Sequence, residues 1–271
     1  MKEVERLKAK AKILRQDIIR MISGSKSGHP AGALGMADIF AVLYFHLLKH
    51  NPKKPDWNDR DRLVLSNGHI SAVRYSAMAR SGYFSVKELK TFRKLNSRLQ
   101  GHPSYKDLPG VESSSGSLGQ GLSVAVGMAL AAKLDKQNHR IYCIISDGEL
   151  NEGSSWEAVN AANKWKLDNL IVIVDRNHIQ ISGNTEDIWP LEPLRKKFEA
   201  YNFHVVETNG NNIEKLLGAF ERIKHYKGRP IVLIAKTIPG KGVSYMENDY
   251  TWHGKVLSDK EAEIALKELE K

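Results

Sequence analysis

The sequence contains a single cysteine and no apolar run long enough to cross a membrane. Cys143 stands alone among 271 residues, so no disulfide can form within the chain, and we expect a reducing, cytoplasmic setting. Because Cys143 lies within the apolar residues 141–145, it is predicted to be a core residue and not a reactive thiol. The longest apolar stretch, residues 37–48, is too short to span a bilayer. Residues 1–6 are mostly charged and lack an apolar signal core, so we expect no contact with membranes.

Basic charge is in excess but is not concentrated in any one segment. Lys and Arg number 41 against 31 Asp and Glu, which gives a net charge of +10. The basic residues are interleaved with acidic ones, and no basic stripe alternates with aromatic residues, so nucleic-acid binding is not expected. Internal repeats and low-complexity segments are also absent. The excess charge is compatible with small anionic ligands such as sugar phosphates.

The pattern of apolar residues predicts an α/β fold. Residues 4–22 carry apolar positions at three- and four-residue steps, which is typical of an amphipathic helix. Residues 140–145 and 169–174 are apolar runs separated by a helical pattern, so they predict a βαβ unit with parallel strands. Further alternation of helix and strand extends to residue 236. We therefore predict a doubly wound, mostly parallel sheet flanked by helices.

Two polar positions follow neighbouring predicted strands. Asp147 comes after the strand at 140–145, and Asn177 comes after the strand at 169–174. Parallel neighbours would bring both to one edge of the sheet, where carboxylate and amide oxygens suit Mg²⁺. Gly148 would let backbone N–H groups approach a phosphate near the next helix N-terminus. Alternatively, Asp147 and Gly148 form only a turn and Asn177 only a cap; their pairing across one βαβ unit favours a metal–diphosphate site.

These residues resemble the thiamin diphosphate fingerprint, and other segments resemble transketolases in particular. The fingerprint is usually Gly-Asp-Gly followed, after the next helix and strand, by Asn; here Ser146 replaces the first Gly. Transketolases have three N-terminal loops that each carry a histidine, and the third usually has Pro at the position of Ser117. The matching segments are Ser27-Gly28-His29-Pro30-Ala31-Gly32 for the first histidine loop, Arg62-Leu63-Val64-Leu65-Ser66-Asn67-Gly68-His69 for the second, and Gly101-His102-Pro103, Pro109-Gly110-Val111-Glu112 and Gly116-Ser117-Leu118-Gly119-Gln120-Gly121 for the third. Lys236-Thr237-Ile238-Pro239-Gly240-Lys241-Gly242 and Trp252-His253-Gly254 resemble the segment that closes the cofactor-binding domain.

Four histidines lie in these glycine-flanked loops. Any one of them alone would more often be a structural hydrogen-bonding residue. Ketose chemistry needs groups that bind hydroxyls and move protons near neutral pH, and histidine does both. The resemblance implies that His29, His69, His102 and His253 are catalytic and line the donor-sugar site.

The resemblance also implies a set of residues for thiamin diphosphate and Mg²⁺. His69 and His253 would contact the diphosphate, as would Gly148 and Asn177. The rings of the cofactor would pack near two residues of the third loop. The remaining residues implied by the resemblance are Gly116 and Leu118 for the cofactor rings, and Asp147, Asn177 and the backbone carbonyl of Ile179 for Mg²⁺.

The resemblance covers only one of the three domains of a transketolase. We expect residues 1–271 to form the single thiamin diphosphate-binding domain, with the aminopyrimidine-binding and C-terminal domains absent from this chain. It would be either a fragment or the N-terminal subunit of a split enzyme, and the charged helix at its end favours a subunit, active only with a second polypeptide that supplies the C-terminal half. A heterotetramer would match the dimer of the family. The small residues of 122–134 predict an interface helix, and the lone chain is expected to self-associate.

The activity implied is transfer of a two-carbon ketol unit from a ketose phosphate to an aldose phosphate, as in the pentose phosphate pathway. The alternatives are an α-subunit of a thiamin-dependent 2-oxoacid dehydrogenase, which shares the Asp147, Gly148 and Asn177 pattern, and a non-catalytic regulatory paralogue. The loops at His29, His69 and His102 argue against the first alternative. The complete set of metal and histidine positions argues against the second.

Overall fold

A five-stranded parallel sheet forms the centre of the molecule. The computed structural model describes residues 1–270, so only the last residue of the predicted domain, Lys271, lies outside the described part. The strand order is β1-β2-β3-β7-β6, and a short antiparallel hairpin, β4–β5, stands apart from the sheet. The strands are β1 Arg62–Leu65, β2 Ile141–Ser146, β3 Leu170–Arg176, β4 Ile179–Gln180, β5 Gly183–Asn184, β6 His204–Asn209 and β7 Ile231–Lys236.

Helices cover both faces of this sheet, which confirms the predicted doubly wound α/β fold. On one face, Tyr142 and Ile144 of β2 join a core built with α1, α3, α4 and α9; on the other, Cys143 and Ile145 join a core built with α5, α6 and α8. Strands buried on both faces have continuous apolar sequences, which is the pattern seen in β2 and β3. The α-helices are α1 Lys2–Ser25, α2 Pro30–Gly35, α3 Ala37–Val42, α4 Ser71–Ser81, α5 Gln120–Leu134, α6 Gly153–Lys164, α7 Thr185–Ile188, α8 Leu194–Ala200, α9 Ile213–Lys224 and α10 Asp259–Glu268.

Residues 30–47 form three helical pieces and not one continuous helix. Helix α2 ends at Gly35, α3 begins at Ala37, and a π-helical turn occupies Leu43–Leu47. A Cβ at Gly35 would lie 2.9 Å from the carbonyl oxygen of Ile238, so the close approach of that backbone explains the glycine. The break places the N-terminus of α2 beside the segment that leads to His253.

The long first helix joins distant parts of the chain. Helix α1 packs against α3, α4 and α10. Lys12 Nζ donates to the carbonyl oxygen of Glu270 at 2.6 Å, and Gln16 donates to that of Leu269 at 3.2 Å. Among residues 1–270, no helix is both long enough and apolar enough to cross a bilayer.

Candidate active site

Three adjacent strands end at the same edge of the sheet and deliver the candidate site. Because β1, β2 and β3 are parallel, with Leu65 opposite Ile144 and Ser146 opposite Asp175, the loops that follow them open to one side. They surround a cavity of about 430 Å³. All the predicted site residues except Asp147 line this cavity, namely His29, His69, His102, Gly116, Leu118, Gly148, Asn177, Ile179 and His253.

Three of the predicted histidines form a compact cluster. The ring centroids of His69 and His253 are 5.1 Å apart, those of His29 and His69 are 5.2 Å apart, and those of His29 and His253 are 5.6 Å apart. Burial lowers the pKa of His29 to about 4 and holds the pKa of His69 well below its ordinary value. Burial also lowers the pKa of His253. These imidazoles are therefore neutral near pH 7, with one nitrogen donating and the other accepting.

The loop that carries His29 has a shape that only glycine allows. Gly28 has φ of +151°, and a Cβ there would lie 2.7 Å from a side-chain carbon of Ile22. His29 immediately precedes Pro30, the first residue of α2. The loop is held from the other end of the sequence, because Gly240 N donates to the carbonyl oxygen of Ala31 at 2.9 Å. Within the described part of the chain, the buried Nδ1 of His29 has no hydrogen-bond partner.

The fourth histidine, His102, also lines the cavity but is exposed. It follows Gly101, whose carbonyl oxygen accepts hydrogen bonds from Ser71 Oγ at 2.8 Å and from Arg93 Nη2 at 3.2 Å. Partial burial and the positive charge of Arg93 lower the pKa of His102. His102 is therefore a neutral group that solvent and ligand can both reach.

Asp147 lies behind the cavity wall and not in it. Its side chain is completely buried, with Oδ1 accepting from Gly148 N at 2.7 Å, and Oδ2 accepting from His178 N at 2.7 Å and Arg176 Nη1 at 3.0 Å. Burial raises the pKa of Asp147 to about 6, against the opposing effect of Arg176. The neighbouring Asn177 presents its amide to the same region: Oδ1 accepts from Ile179 N at 3.0 Å.

The orientation of Asn177 is fixed by a second buried carboxylate. Asn177 Nδ2 donates to Asp175 Oδ2 at 3.0 Å, and Thr237 Oγ1 donates to the other oxygen of Asp175. Burial raises the pKa of Asp175 to about 7, and the charge of Asp147 adds to that effect. The Asn177 side-chain amide is thereby oriented with its nitrogen toward Asp175 and its oxygen toward Ile179.

The donor set fits Mg²⁺ only together with an anionic ligand. Among residues 1–270, no group of three or more His, Cys, Asp or Glu side chains could hold a metal ion. The predicted set has a single carboxylate, so further oxygens must come from elsewhere. Asp147 Oδ1 and Asn177 Oδ1 each accept one hydrogen bond and keep a lone pair. The cavity-lining residues include no Lys or Arg, so a diphosphate bound there would need a metal ion to neutralise its charge.

Sequence reasoning missed a buried glutamate that joins three loops of the site. Glu149 is inaccessible to solvent. Its Oε1 accepts from Ser66 Oγ and from Gly119 N, the latter at 2.7 Å, while Oε2 accepts from Ser146 N at 3.3 Å. These contacts connect the loops of His69, of Leu118 and of Asp147. The signal in the sequence was a second acidic residue two positions after Asp147, shortly after the apolar residues 141–145.

The loop after β3 was also missed as part of the wall. Gln180, Ile181 and Ser182 line the cavity, and they belong to the β4–β5 hairpin and its turn. Ile181 is strongly exposed, although it lies beside a cavity that contains apolar surface. A hairpin with two residues in each strand leaves no periodic pattern in a sequence, so nothing pointed to it.

Comparison with known proteins identifies the chain. Residues 6–269 match the family model for the transketolase thiamine diphosphate binding domain. The chain is 39% identical over 267 residues to one of the subunits of the apulose-4-phosphate transketolase of Phocaeicola vulgatus, covering 98% of this chain and 95% of that protein. It is 40% identical over 265 residues to a 6-deoxy-6-sulfo-D-fructose transketolase subunit of a Clostridium species, with 98% and 96% covered.

A solved transketolase structure has the same fold as this chain over nearly all of its length. The transketolase of Campylobacter jejuni superposes with a TM-score of 0.94 at 41% sequence identity, over 98% of this chain and 43% of the Campylobacter chain. Human transketolase is 38% identical over 268 residues, and the chain covers 42% of its length. The chain therefore spans less than half of these complete transketolases, and it belongs to the transketolase family as its thiamin diphosphate-binding part.

Proposed function

We propose that this chain is the N-terminal subunit of a two-chain transketolase that transfers a two-carbon ketol unit from a ketose phosphate to an aldose phosphate. The observation that carries the proposal is the convergence of His29, His69, His102 and His253, from four separate loops, on one cavity at the edge of the diphosphate fingerprint. Relatives of matching length are named as subunits of transketolases for apulose-4-phosphate and 6-deoxy-6-sulfo-D-fructose. For this chain we propose sugar phosphates of the pentose phosphate pathway as substrates.

Asp147, Asn177 and the carbonyl group of Ile179 would hold Mg²⁺, and the ion would neutralise the diphosphate in a cavity without lining cations. His69, His253, Asn177 and the backbone at Gly148 would contact the diphosphate oxygens. Gly116 and Leu118 would pack against the cofactor rings. A Cβ at Gly116 would have no atom within 4 Å, which is consistent with a surface left open for a ligand.

Thiamin diphosphate, when bound, supplies the carbanion chemistry by which the carbon–carbon bond is broken and formed. The residues of this chain would bind and orient the sugar and move its protons. His29 and His102 are neutral near pH 7, so each can accept a proton from a hydroxyl group of the donor and return it to the acceptor. The ring of His69 is tilted by 59° to that of His29, the ring of His253 is nearly perpendicular to it, and the two would fix the orientation of His29.

The second half of the active site would come from another polypeptide. We propose that the described chain is one thiamin diphosphate-binding domain, that its partner carries the aminopyrimidine-binding and C-terminal domains, and that two copies of each form a heterotetramer. Exposed apolar side chains support this proposal: Val124 and Leu134 lie on α5, and Ile181 lies at the cavity. Without the partner, these surfaces would promote self-association. The single buried Cys143 is consistent with a cytoplasmic location.

The test is ketol transfer by the purified chain, with and without the polypeptide that carries the aminopyrimidine-binding domain. With thiamin diphosphate and Mg²⁺ present, we expect a folded but inactive single chain and full activity of the pair, because half of the cofactor pocket is otherwise missing. A 2-oxoacid in place of the ketose phosphate should give no turnover. Substantial ketol transfer by the pure single chain would contradict the two-chain proposal, and inactivity of every pairing would contradict the catalytic one.

A further inference from the structure

One arginine contacts the loops of two catalytic histidines at once. Arg93 follows the short 3₁₀ helix Val86–Thr91 and has a left-handed backbone, with φ of +57°. Its backbone N–H donates to the carbonyl oxygen of Leu99 at 2.9 Å, which closes the turn. This strained conformation directs the half-buried side chain toward Ser27 and Gly101.

The guanidinium bridges the first and third histidine loops. Nη1 donates to Ser27 Oγ at 3.0 Å, two residues before His29, and Nη2 donates to the carbonyl oxygen of Gly101 at 3.2 Å, directly before His102. The Gly101 oxygen also accepts from Ser71 Oγ, two residues after His69. One backbone carbonyl and one guanidinium therefore join the loops of three cavity histidines.

The guanidinium packs closely against the glycine that precedes His102. A Cβ at Gly101 would lie 2.7 Å from Cζ of Arg93, so the backbone of the third loop packs directly on the planar group. The guanidinium also lies over the ring of Phe92, with 5.5 Å between Cζ and the ring centroid. A guanidinium that is packed on two faces and hydrogen-bonded at both terminal nitrogens has little freedom to move. It can therefore fix the positions of both loops relative to each other.

The charge of Arg93 has no carboxylate partner within the described residues; burial lowers its pKa, and the only opposing group is Tyr75. The groups that face it from the surrounding elements are His29, His69, His102 and Tyr75, with His253 behind the first two. The unpaired positive charge adds to burial in lowering the pKa of His29, His69 and His102. The residue thus acts on the histidines by geometry and by charge together.

We propose that Arg93 is a positioning residue for the donor-sugar site, which holds the loops of His29 and His102 at a fixed separation. The proposal rests on the proposed function for its catalytic meaning, but its geometric content concerns this chain alone. Arg93 does not line the cavity. It therefore acts through the histidines and not on the substrate.

The experiment uses Arg93→Met, Arg93→Lys and a matched control, Arg98→Met, in which a half-buried ion pair to Glu88 is lost from the same segment. In the reconstituted enzyme, Arg93→Met should lower kcat by on the order of 10²-fold, since misplacement of reacting groups by about 1 Å has that effect. Thiamin diphosphate affinity should change far less. Arg93→Lys should recover part of the loss, because it keeps the charge but cannot bond both loops in the same geometry. The control should match the wild type.

A second measurement separates this inference from the proposed function. The C2 protons of His29 and His102 are titrated by NMR in the full single chain, with assignment by His29→Gln and His102→Gln. Arg93→Met should raise the pKa of both histidines, Arg93→Lys should leave both near the wild type, and Arg98→Met should have no effect. If Arg93→Met does not fold, Ser27→Ala removes one of the two contacts and should lower kcat in the same direction.

Unchanged histidine titration together with unchanged kcat in Arg93→Met would overturn the inference. So would a loss of activity in Arg93→Met that Arg98→Met reproduces. Failure of the wild-type pair to transfer ketol groups would overturn the proposed function only, because the titrations still decide whether Arg93 controls the histidines.

Discussion

Arg176 and Asp147 form an ion pair in which neither side chain reaches solvent. Their closest atoms, Arg176 Nη1 and Asp147 Oδ2, are 3.0 Å apart, and the two side chains are 1% and 0% exposed. The other guanidinium nitrogen, Nη2, pairs with Glu186 and Glu192, which both reach solvent. Arg176 therefore connects the proposed Mg²⁺ ligand to the segment that follows the β4–β5 hairpin.

Substitution of Asp147 should affect both metal binding and the fold. Asp147→Ala leaves a buried guanidinium partly unpaired, so we expect a loss of about 3–5 kcal/mol in the free energy of unfolding, measured by urea denaturation of the single chain. Asp147→Asn keeps an oxygen that can accept from His178 N and should lose less. Both variants should lose Mg²⁺-dependent thiamin diphosphate binding in calorimetry of the reconstituted enzyme. Wild-type affinity in either variant would remove Asp147 from the metal site.

His102→Ala should reduce turnover of the donor ketose much more than cofactor binding. His102 lines the cavity but has few contacts that support the fold, and a proton-transfer group typically contributes about 10²–10⁴-fold in rate. The measurement is kcat at saturating donor, Mg²⁺ and thiamin diphosphate, with His225→Ala, a surface histidine paired with Glu221, as the matched control. Equal turnover of variant and wild type would exclude a catalytic role for His102.

The stability of the chain should depend on pH through His29. Its pKa is lowered from 6.5 to about 4, so in this range the unfolded chain binds a proton that the folded chain does not. The contribution of neutral His29 to stability is therefore present above about pH 6.5 and is lost as the pH falls toward 4. Lowering the pH from about 7 to about 5 should therefore reduce the Tm of the wild type more than the Tm of His29→Gln. A constant difference in Tm would mean that His29 is protonated as easily in the folded chain as in the unfolded one.

Two glycines of α5 should respond to alanine in opposite directions. A Cβ at Gly121 would lie 2.7 Å from Cα of Ser66, whereas a Cβ at Gly127 would meet no atom within 4 Å. Gly127→Ala should stabilise the single chain by about 0.5–1 kcal/mol, because alanine favours the helix. Gly121→Ala should destabilise it by about 1–3 kcal/mol, because it pushes α5 away from the loop after β1. Denaturant unfolding of both variants tests this pair, and equal effects would show that α5 does not pack closely on Ser66.

Much of the fold could be predicted because its strands and helices have strong patterns. The βαβ unit was predicted at residues 140–174, and β2 and β3 occupy Ile141–Ser146 and Leu170–Arg176. The predicted helix over residues 4–22 corresponds to Lys2–Ser25. The strands bury continuous apolar runs and the helix buries one apolar face, so composition and periodicity report on them directly. The π turn at Leu43–Leu47 and the hairpin at 179–184 depend on tertiary packing and could not be predicted in this way.

The site residues were predicted from motifs, whereas their surroundings were not. The position of Asn177 beside Asp147 follows from parallel strand pairing, but the burial of Asp147 and its pairing with Arg176 depend on α7 and on side-chain directions that a sequence does not reveal. The tryptophans illustrate the same limit. Trp156 is half-buried, whereas Trp165 and Trp189 are exposed, and nothing in their local sequence distinguishes them.

The arrangement of the histidine loops has a consequence for how the protein folds. The β2–α6–β3 unit, with Asp147 and Asn177 at its edge, consists of residues close together in sequence and can form early. His29 and His253 belong to opposite ends of the chain, and their contact requires α1, the whole sheet and the Gly240 loop to be in place. We therefore expect the edge proposed to bind the diphosphate to be organised before the edge proposed to bind the sugar during folding. A nascent or partly unfolded chain would hold the elements of the proposed metal site long before it held the proposed catalytic histidines together.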